Sequence, residues 1–351
     1  MIIFHIFIFA VFIFLYFFRD FYLWELAISF LPYIWGFLLL FVIYRIIQLR
    51  RYLYWTIENP SLLIKASPFF LILFWILFWL YAYELNHFYH EDLLSKEPLN
   101  NPIKILYSNI YKENYNFDKI KETILSEDPD VIMFVEFSDE HEEWLKDFID
   151  EHYPYYDKTN RSRIFWGSVV MSKYPITNFL NKYNQESARK YGYFMVEKNE
   201  TPYYFYLIHT SSPISKFDYS KRNQQLITVK KDFFQVHDSE RSLNAKIVMI
   251  GDFNVSPWSS NYKDFDSAIS GRLTNITRIP PMFFSWNLAE MLKVHKDFDF
   301  LPQRFKKNVG YFPILRSHID QAFISPSVKI AHFKKIHIDW SDHDGMVFDI
   351  E

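Results

Sequence analysis

Three long apolar runs crowd the first 83 residues and restrict what that part of the chain can become. Residues 1–18 are apolar apart from His5. Residues 21–44 form a second run, with Glu25 near its start and Pro32 and Gly36 inside. Residues 68–83 form a third, which extends back to Leu62 if Lys65 snorkels. About 20 apolar residues span a bilayer as a helix, and Trp and Tyr lie near several ends of the runs, as they do at membrane interfaces. The pattern predicts three transmembrane helices at about 1–18, 21–44 and 64–83. A cleaved leader would need a basic start and a small-residue cleavage site, and the first run has neither.

The flanking charges orient these spans. The stretch after the second run carries Arg45, Arg50, Arg51 and Lys65 against Glu58 alone, whereas the first hairpin balances Arg19 with Asp20 and Glu25. Basic loops stay in the cytoplasm. The chain is therefore expected to be an integral, multi-pass membrane protein, attached to the lipid bilayer by residues 1–83. Its N-terminus is then inside and everything after residue 84 is extracytoplasmic. With only His5 and Glu25 as notable polar interior positions, the spans offer no transport pathway, and anchoring is the plainer reading.

Composition removes other options. There is no Cys, so disulfides and thiolate chemistry are excluded. Beyond residue 83 lie 33 of the 38 basic and 38 of the 41 acidic residues, a net charge of −5. A chain that tracks a nucleic-acid backbone usually shows a basic face, and this one has no overall basic excess. Residues 84–101 read as a linker, polar and acidic from Asn86 and bounded by Pro102.

Residues 102–351 alternate strand and helix patterns. Strands are predicted at 103–110, 131–137, 165–171, 191–196, 203–209, 246–252, 319–325, 328–338 and 346–350. Helices are predicted at 117–125, from Ser138 onward with an apolar face of Trp144, Leu145, Phe148 and Ile149, and at about 219–236. The alternation followed by strand-rich stretches predicts an α/β domain with a large sheet core.

Polar residues recur where the apolar strands end. Asn109 closes the first and Glu136 interrupts the second, where a carboxylate is costly to bury unless paired or metal-bound. His209 ends YYFYLIH; Asp252 and Asn254 follow the apolar run IVMI and Gly251; Asp320 lies in HIDQAFIS; Asp342 and His343 precede the last strand. Singly, each has a duller explanation: an ion pair, a core histidine, a turn cap. Their recurrence at strand ends of one domain points instead to a shared cleft.

The ordered set NI (109–110), Glu136, SVVMSKYPI (168–176), IHTSSP (208–213), RNQQL (222–226), GDFN (251–254), HIDQAFIS (318–325) and SDH (341–343) resembles the endonuclease/exonuclease/phosphatase superfamily. Pancreatic-type deoxyribonucleases, abasic-site endonucleases and neutral sphingomyelinases belong to it. The resemblance covers about 102–351, and the N-terminal runs resemble its membrane-anchored bacterial branch. It implies a four-layer αββα sandwich, here preceded by three transmembrane helices, and a phosphoester hydrolase that uses Mg²⁺ or Mn²⁺. By that resemblance Glu136 is the principal metal ligand, with Asn109 and Asp342 close to the ion or the nucleophile. His343 is the general base, oriented by Asp320, and Asp252 positions or deprotonates the water. Asn254 holds a phosphate oxygen, and His209 stabilises charge in the transition state. The resemblance assigns no role to His318, and it places Ser285–Trp286 where a Thr-Trp pair is often found.

The expected partners are a phosphoester substrate (a lipid headgroup, nucleic acid or a small phosphoester) and the bilayer, with no obligate protein partner. An acidic domain tethered to a membrane favours the lipid headgroup or small phosphoester over duplex DNA. Trp258 or Phe283–Phe284 could dip toward lipid, although core packing is the plainer role. The competing reading is a catalytically inactive membrane scaffold that keeps the fold for binding. It would require loss of ligand or base positions, and all are present.

Overall fold

A computed structural model describes residues 22–55, 72, 75–76, 79, 93–159, 167–181, 191–237, 244–278, 284–296, 299–300, 302, 304 and 316–351. Residues 30–90 form one unit, and the described residues on either side of them form another. The expected span at 1–18 and most of that at 64–83 lie outside the described residues. The expected span at 21–44 is not one helix. It breaks at Ser29 and Phe30 into α1 (Tyr22–Ile28) and α2 (Leu31–Trp55). The break falls just before Pro32, which has no N–H for the Ile28 carbonyl, and Glu25 on α1 is buried in an ion pair with Arg222. α2 runs on through Arg45, Arg50 and Arg51. Among the described residues no helix is long and apolar enough to cross a membrane.

The larger unit is built from strands buried on both faces. β1 (Ile103–Asn109) sends Ile103, Ile105 and Tyr107 into one core and Leu106 into another. A slip of one residue would drive Lys104 into the first core, so burial on both faces fixes the register. After β1 comes α3 (Phe117–Glu127), whose buried Ile120 and Ile124 are four apart. It ends where Asp128 turns left-handed, with φ 46°, just before Pro129. β2 (Val131–Phe137) follows, then α4 (Asp139–His152), capped as expected by Ser138. Trp144 is not on the buried face of α4. It stays exposed, stacked on Phe117, while Leu145 and Ile149 fill the core.

The chain continues through β3 (Tyr155–Thr159), β4 (Gly167–Ser172), β5 (Ile176–Asn181), β6 (Tyr191–Lys198) and β7 (Thr201–His209). Then come α5 (Lys216–His237), β8 (Lys246–Asp252), α6 (Ser260–Ile269) and β9 (Thr274–Asn275). The last elements are β10 (Trp286–Asn287), α7 (Leu288–Val294), β11 (Arg316–Ser317), β12 (Asp320–Ile324), β13 (Ile330–His337) and β14 (Asp344–Ile350).

Two six-stranded sheets result, in the orders β13-β14-β1-β2-β4-β3 and β5-β6-β7-β8-β12-β9. Ile105, Met133, Val135, Met346 and Phe348 of the first meet Phe205, Leu207, Val248, Ile250 and Ala322 of the second in the inter-sheet core. α3 and α4 cover the outer face of the first sheet through Ile120, Ile124, Leu145 and Ile149. Tyr206 of β7 meets Phe233 of α5, and Phe323 of β12 meets Tyr262 and Phe265 of α6, which covers the second sheet. The four-layer αββα sandwich is thus present. Leu93 and Leu94, in the expected linker, pack against the inter-sheet core.

Candidate active site

β1 and β2 run parallel, as do β7 and β8. Each such pair needs a crossover, supplied by α3 and α5. The carboxyl ends of all four strands consequently fall on one rim of the sandwich. β14 is antiparallel to β1 and β12 to β8, so their amino ends reach the same rim. Asn109, Glu136, His209, Asp252, Asn254, Asp320, Asp342 and His343 all gather there.

Local irregularities aim these side chains. Val131, Met133 and Val135 enter the inter-sheet core while Ile132 and Phe134 face the helices, so strict alternation would send Glu136 toward the helices too. Instead β2 shifts register between Val135 and Phe137, Glu136 adopts φ 60°, and Phe137 takes the helix-facing place. A bulge of this kind re-aims one side chain. The Glu136 carboxylate then accepts from Asn109 Nδ2 and from the Lys112 N–H, both at 3.2 Å.

Gly251 does the equivalent in the second sheet. A Cβ at that position would lie 1.9 Å from the Ile208 carbonyl oxygen. Only glycine lets β7 and β8 close so that His209 stands opposite Asp252. Asn254 follows in the left-handed region at φ 48°, its N–H on Asp252 Oδ1 at 2.9 Å and its Nδ2 on the Thr210 carbonyl at 3.0 Å.

Contacts between the sheets complete the cluster. Asn109 Nδ2 reaches Asp252 Oδ2 at 3.2 Å as well as Glu136. His343 Nδ1 is 2.8 Å from Asp320 Oδ2, and its Nε2 is 3.9 Å from Asp252 Oδ2. The Tyr107 hydroxyl donates to the other Asp320 oxygen at 2.6 Å. His209 Nε2 lies 3.8 Å from Glu136 Oε1. Asp342 Oδ2 accepts from Trp286 Nε1 at 2.9 Å and lies 3.2 Å from His295 Nε2. Ser285 Oγ accepts the Asp320 N–H at 3.0 Å, so the Ser285–Trp286 pair braces Asp320 and Asp342 and is more than packing.

Two participants escape a strand-end search. Tyr107 is two residues before Asn109 on the same face of β1, a spacing that carries a usable signal. His295 follows α7, outside every strand pattern, and reaches Asp342 with its ring stacked on Tyr111 at 4.3 Å. Nothing local marks it. His318 is fully buried, 2.9 Å from Thr277 Oγ1 and edge-on to Trp258. Burial lowers its pKa to about 3, so it is a neutral core histidine. Trp258 is buried too, stacked on Phe284, and packs the core.

The electrostatics follow from four carboxylates sharing one rim. Burial, then the neighbouring Asp320, pushes the Asp252 pKa up. Burial opposes charge on His343, but Asp320 and Asp342 outweigh it and hold the imidazole well above its usual pKa. Burial likewise opposes charge on Asp342, yet His343 and His295 keep it below the usual carboxylate range. Burial first, then Asp320, raises Tyr107 far above 10.0, so it remains a donor. The cluster attracts protons because it lacks positive charge.

That deficit fits a divalent cation, and the carboxylate oxygens of Glu136 and Asp252 suit a hard ion. Asp252, Asp320 and His343 offer ligand atoms within 4.8 Å of one another. Asp320, however, has one oxygen engaged by Tyr107 and the other by His343. Glu136, with Asn109 and Asp252 beside it, is the better cation position.

A sequence model described as "Endonuclease/Exonuclease/phosphatase family" matches residues 106–343. None of the curated proteins matches the chain at a significant level. Among solved structures, D. rerio TDP2 complexed with a single-strand DNA product is similar at 15% identity and TM-score 0.54, covering 72% of this chain and 100% of that one. TDP2 from C. elegans is similar at 14% identity and TM-score 0.54, covering 74% of this chain and 76% of that one. A mutant beta toxin from Staphylococcus aureus with bound magnesium ions is similar at 17% identity and TM-score 0.49, covering 71% of this chain and 99% of that one. The family match spans most of the chain and ends on His343 itself, so the protein belongs to the Endonuclease/Exonuclease/phosphatase family and is a metal-dependent phosphoester hydrolase.

Proposed function

We propose that the chain is a membrane-attached phosphodiesterase that activates water with the His343–Asp320 pair. The observation that carries this reading is the 2.8 Å contact of His343 Nδ1 with Asp320, which leaves Nε2 facing Asp252 at the rim. A histidine whose Nδ1–H is held by a carboxylate presents Nε2 as a base once that nitrogen has lost its proton, which the surrounding carboxylates oppose. His343 takes the proton of the attacking water, and Asp252, 3.9 Å away, orients that water. General bases of this kind contribute about 10²–10⁴-fold. Asn254 holds one phosphate oxygen; one of its amide hydrogens is committed to Thr210, which fixes the plane of the group. His209 meets charge growing on the phosphorus oxygens. Glu136 would hold Mg²⁺, with Asp342 nearby, and Mn²⁺ has the same preference for oxygen. Asn109, its Nδ2 on Glu136 and Asp252 and its oxygen on the Tyr111 N–H, braces these carboxylates. When bound, the cation polarises the phosphoryl oxygens.

Membrane attachment draws support from exposed apolar faces. Phe37, Leu40, Tyr44 and Ile47 of α2 lie exposed at helical spacing, as do Ile72, Trp75, Ile76 and Trp79. Contiguous exposed apolar surface of this kind marks contact with a membrane or a protein partner, and the apolar runs around it favour the membrane. α1 bears on the topology as well. The hairpin between the first two expected spans and the domain after the third fall on one side of the bilayer, and Glu25 of that hairpin pairs with Arg222 of the domain. That contact holds in either orientation, and the basic residues after the second run are what support an extracytoplasmic catalytic domain. An acidic domain held at a bilayer acts on lipid headgroups or small phosphodiesters before duplex DNA.

The test uses the full chain in detergent, beside His343→Ala and Glu136→Ala, with Mg²⁺ or EDTA. Bis(p-nitrophenyl) phosphate, single-stranded and plasmid DNA, and sphingomyelin or phosphoinositide vesicles are offered. We expect turnover of one substrate class that EDTA and each substitution reduce by about 10²-fold or more. A folded wild type that hydrolyses none of these with any divalent metal returns the scaffold reading.

A further inference from the structure

Arg222 is fully buried, and a guanidinium brings five N–H donors and no acceptor. A buried cation of this kind is stable only if it is paired and hydrogen-bonded. Its three contacts are specific. Nε donates to Asn223 Oδ1 at 2.8 Å, Nη1 donates to the Asn254 carbonyl at 2.7 Å, and Nη2 donates to Glu25 Oε1 at 2.9 Å. The Tyr219 ring lies under the guanidinium at 5.3 Å. Among the described residues the ion-pair partner of Arg222 is Glu25, itself 2% exposed. Glu25 lies 197 positions earlier in the sequence, within a run whose apolarity reads as a bilayer span. α1 is seated beside it by the Tyr22 hydroxyl, which donates to the Ile214 carbonyl, and by the Tyr22 ring 6.0 Å from Tyr219.

The far end of this chain of contacts is the catalytic turn. Asn254 sits at φ 48°, a conformation that costs a non-glycine residue free energy and needs support from its surroundings. Its N–H is held by Asp252 and its side chain by Thr210; its carbonyl is held only through Arg222 among the described residues. We propose that Glu25 is a positioning residue for the active site: through Arg222 it fixes the Asn254 carbonyl, so the segment before the domain is part of the working enzyme. Glu25 touches no substrate. It holds Arg222 in place, Arg222 holds the turn, and the turn presents Asp252 and Asn254. The inference rests on the hydrolase reading for its kinetic consequence but not for its structural one.

The experiment compares the full chain in detergent micelles with Glu25→Gln, Glu25→Asp and the double variant Glu25→Met/Arg222→Met. Steady-state kinetics on bis(p-nitrophenyl) phosphate with Mg²⁺ are paired with hydrogen–deuterium exchange of peptides covering residues 251–258, with residues 330–337 as internal control. Glu25→Gln strands the Arg222 charge. We expect kcat to fall about ten- to a hundredfold, as for a sub-ångström to ångström misplacement, with KM unchanged and faster exchange confined to 251–258. Glu25→Asp, which keeps the charge, should recover part of kcat. The double variant removes both charges; such replacements often leave stability intact, so it should fold with a near-normal melting temperature yet keep the low kcat. If Glu25→Gln has wild-type kcat and wild-type exchange at 251–258, the proposal is overturned whatever happens to the melting temperature. If the wild type turns over nothing, the hydrolase reading fails, and the exchange result alone decides whether Glu25 positions the turn.

Discussion

His343 is bound by competing demands. Burial disfavours its charge and the surrounding carboxylates favour it, with the second effect prevailing. The sign of the pH dependence follows. A group whose pKa is raised on folding contributes stability fully below its unfolded pKa and loses that contribution as pH rises through the folded value. For His343 the loss begins above about 6.5, and for the raised Asp252 above about 4. Both act in the same direction. The buried, neutral His141, His237 and His318 act oppositely, but only up to about pH 7, so metal-free protein should melt at lower temperature as pH is raised from about 7 to 9. Mg²⁺ should restore more stability at the alkaline end, where protons no longer compete for the site. Thermal melts in EDTA and in Mg²⁺ across that range check this; a metal-free melting temperature that climbs with pH refutes it. At this scale the sequence was informative wherever a polar residue closed an apolar strand, and all eight such residues converge. It was silent on His295, whose contact with Asp342 depends on the fold alone, and on the Trp286 indole that shares that carboxylate.

Elements were legible where alternation or helical spacing was clean. β2, β8 and the start of α4 fall where the pattern places them. The bulge at Glu136 was not legible, because VIMFVEF reads as an unbroken strand and only the partner strand reveals the extra residue. β3 and β5 also lacked a usable signal, being YYDKT and ITNFLN with no sustained apolar alternation, whereas α6 carries one in Ser259 as cap and Tyr262, Phe265 and Ile269 at helical spacing. Trp144 shows the limit of apolarity as a guide, since a residue about 100° off the buried stripe of its helix stays outside whatever its chemistry. Gly251 gives the sharpest test at this level. Its Cβ replacement would collide with backbone, not with a movable side chain. Gly251→Ala should therefore cost about 3 kcal/mol or more and separate His209 from Asp252. Urea unfolding together with turnover measures both, and a shift below about 1 kcal/mol would contradict the argument.

For the whole molecule, the sequence read alone reached an α/β class; the four layers came from family resemblance, because periodicity does not say which strands pair. It also misjudged the run at 21–44. Hydropathy averages over a window, and a single carboxylate with a buried arginine partner far along the chain cannot be seen in that average. The order of strands in the first sheet carries one more implication. β14, made from the last residues of the chain, lies between β13 and β1 and so is interior to the sheet. It pairs with the domain's first strand, Ile103 standing opposite Ile350. β1 must therefore wait, its edge open, until residues as late as Ile350 have left the ribosome. His343, immediately before β14, is delivered in the same final act. A product ended early by a stop codon or a nick would have neither a closed sheet nor a base. Activity is thus acquired only once the chain has been made through the strand that ends at Ile350.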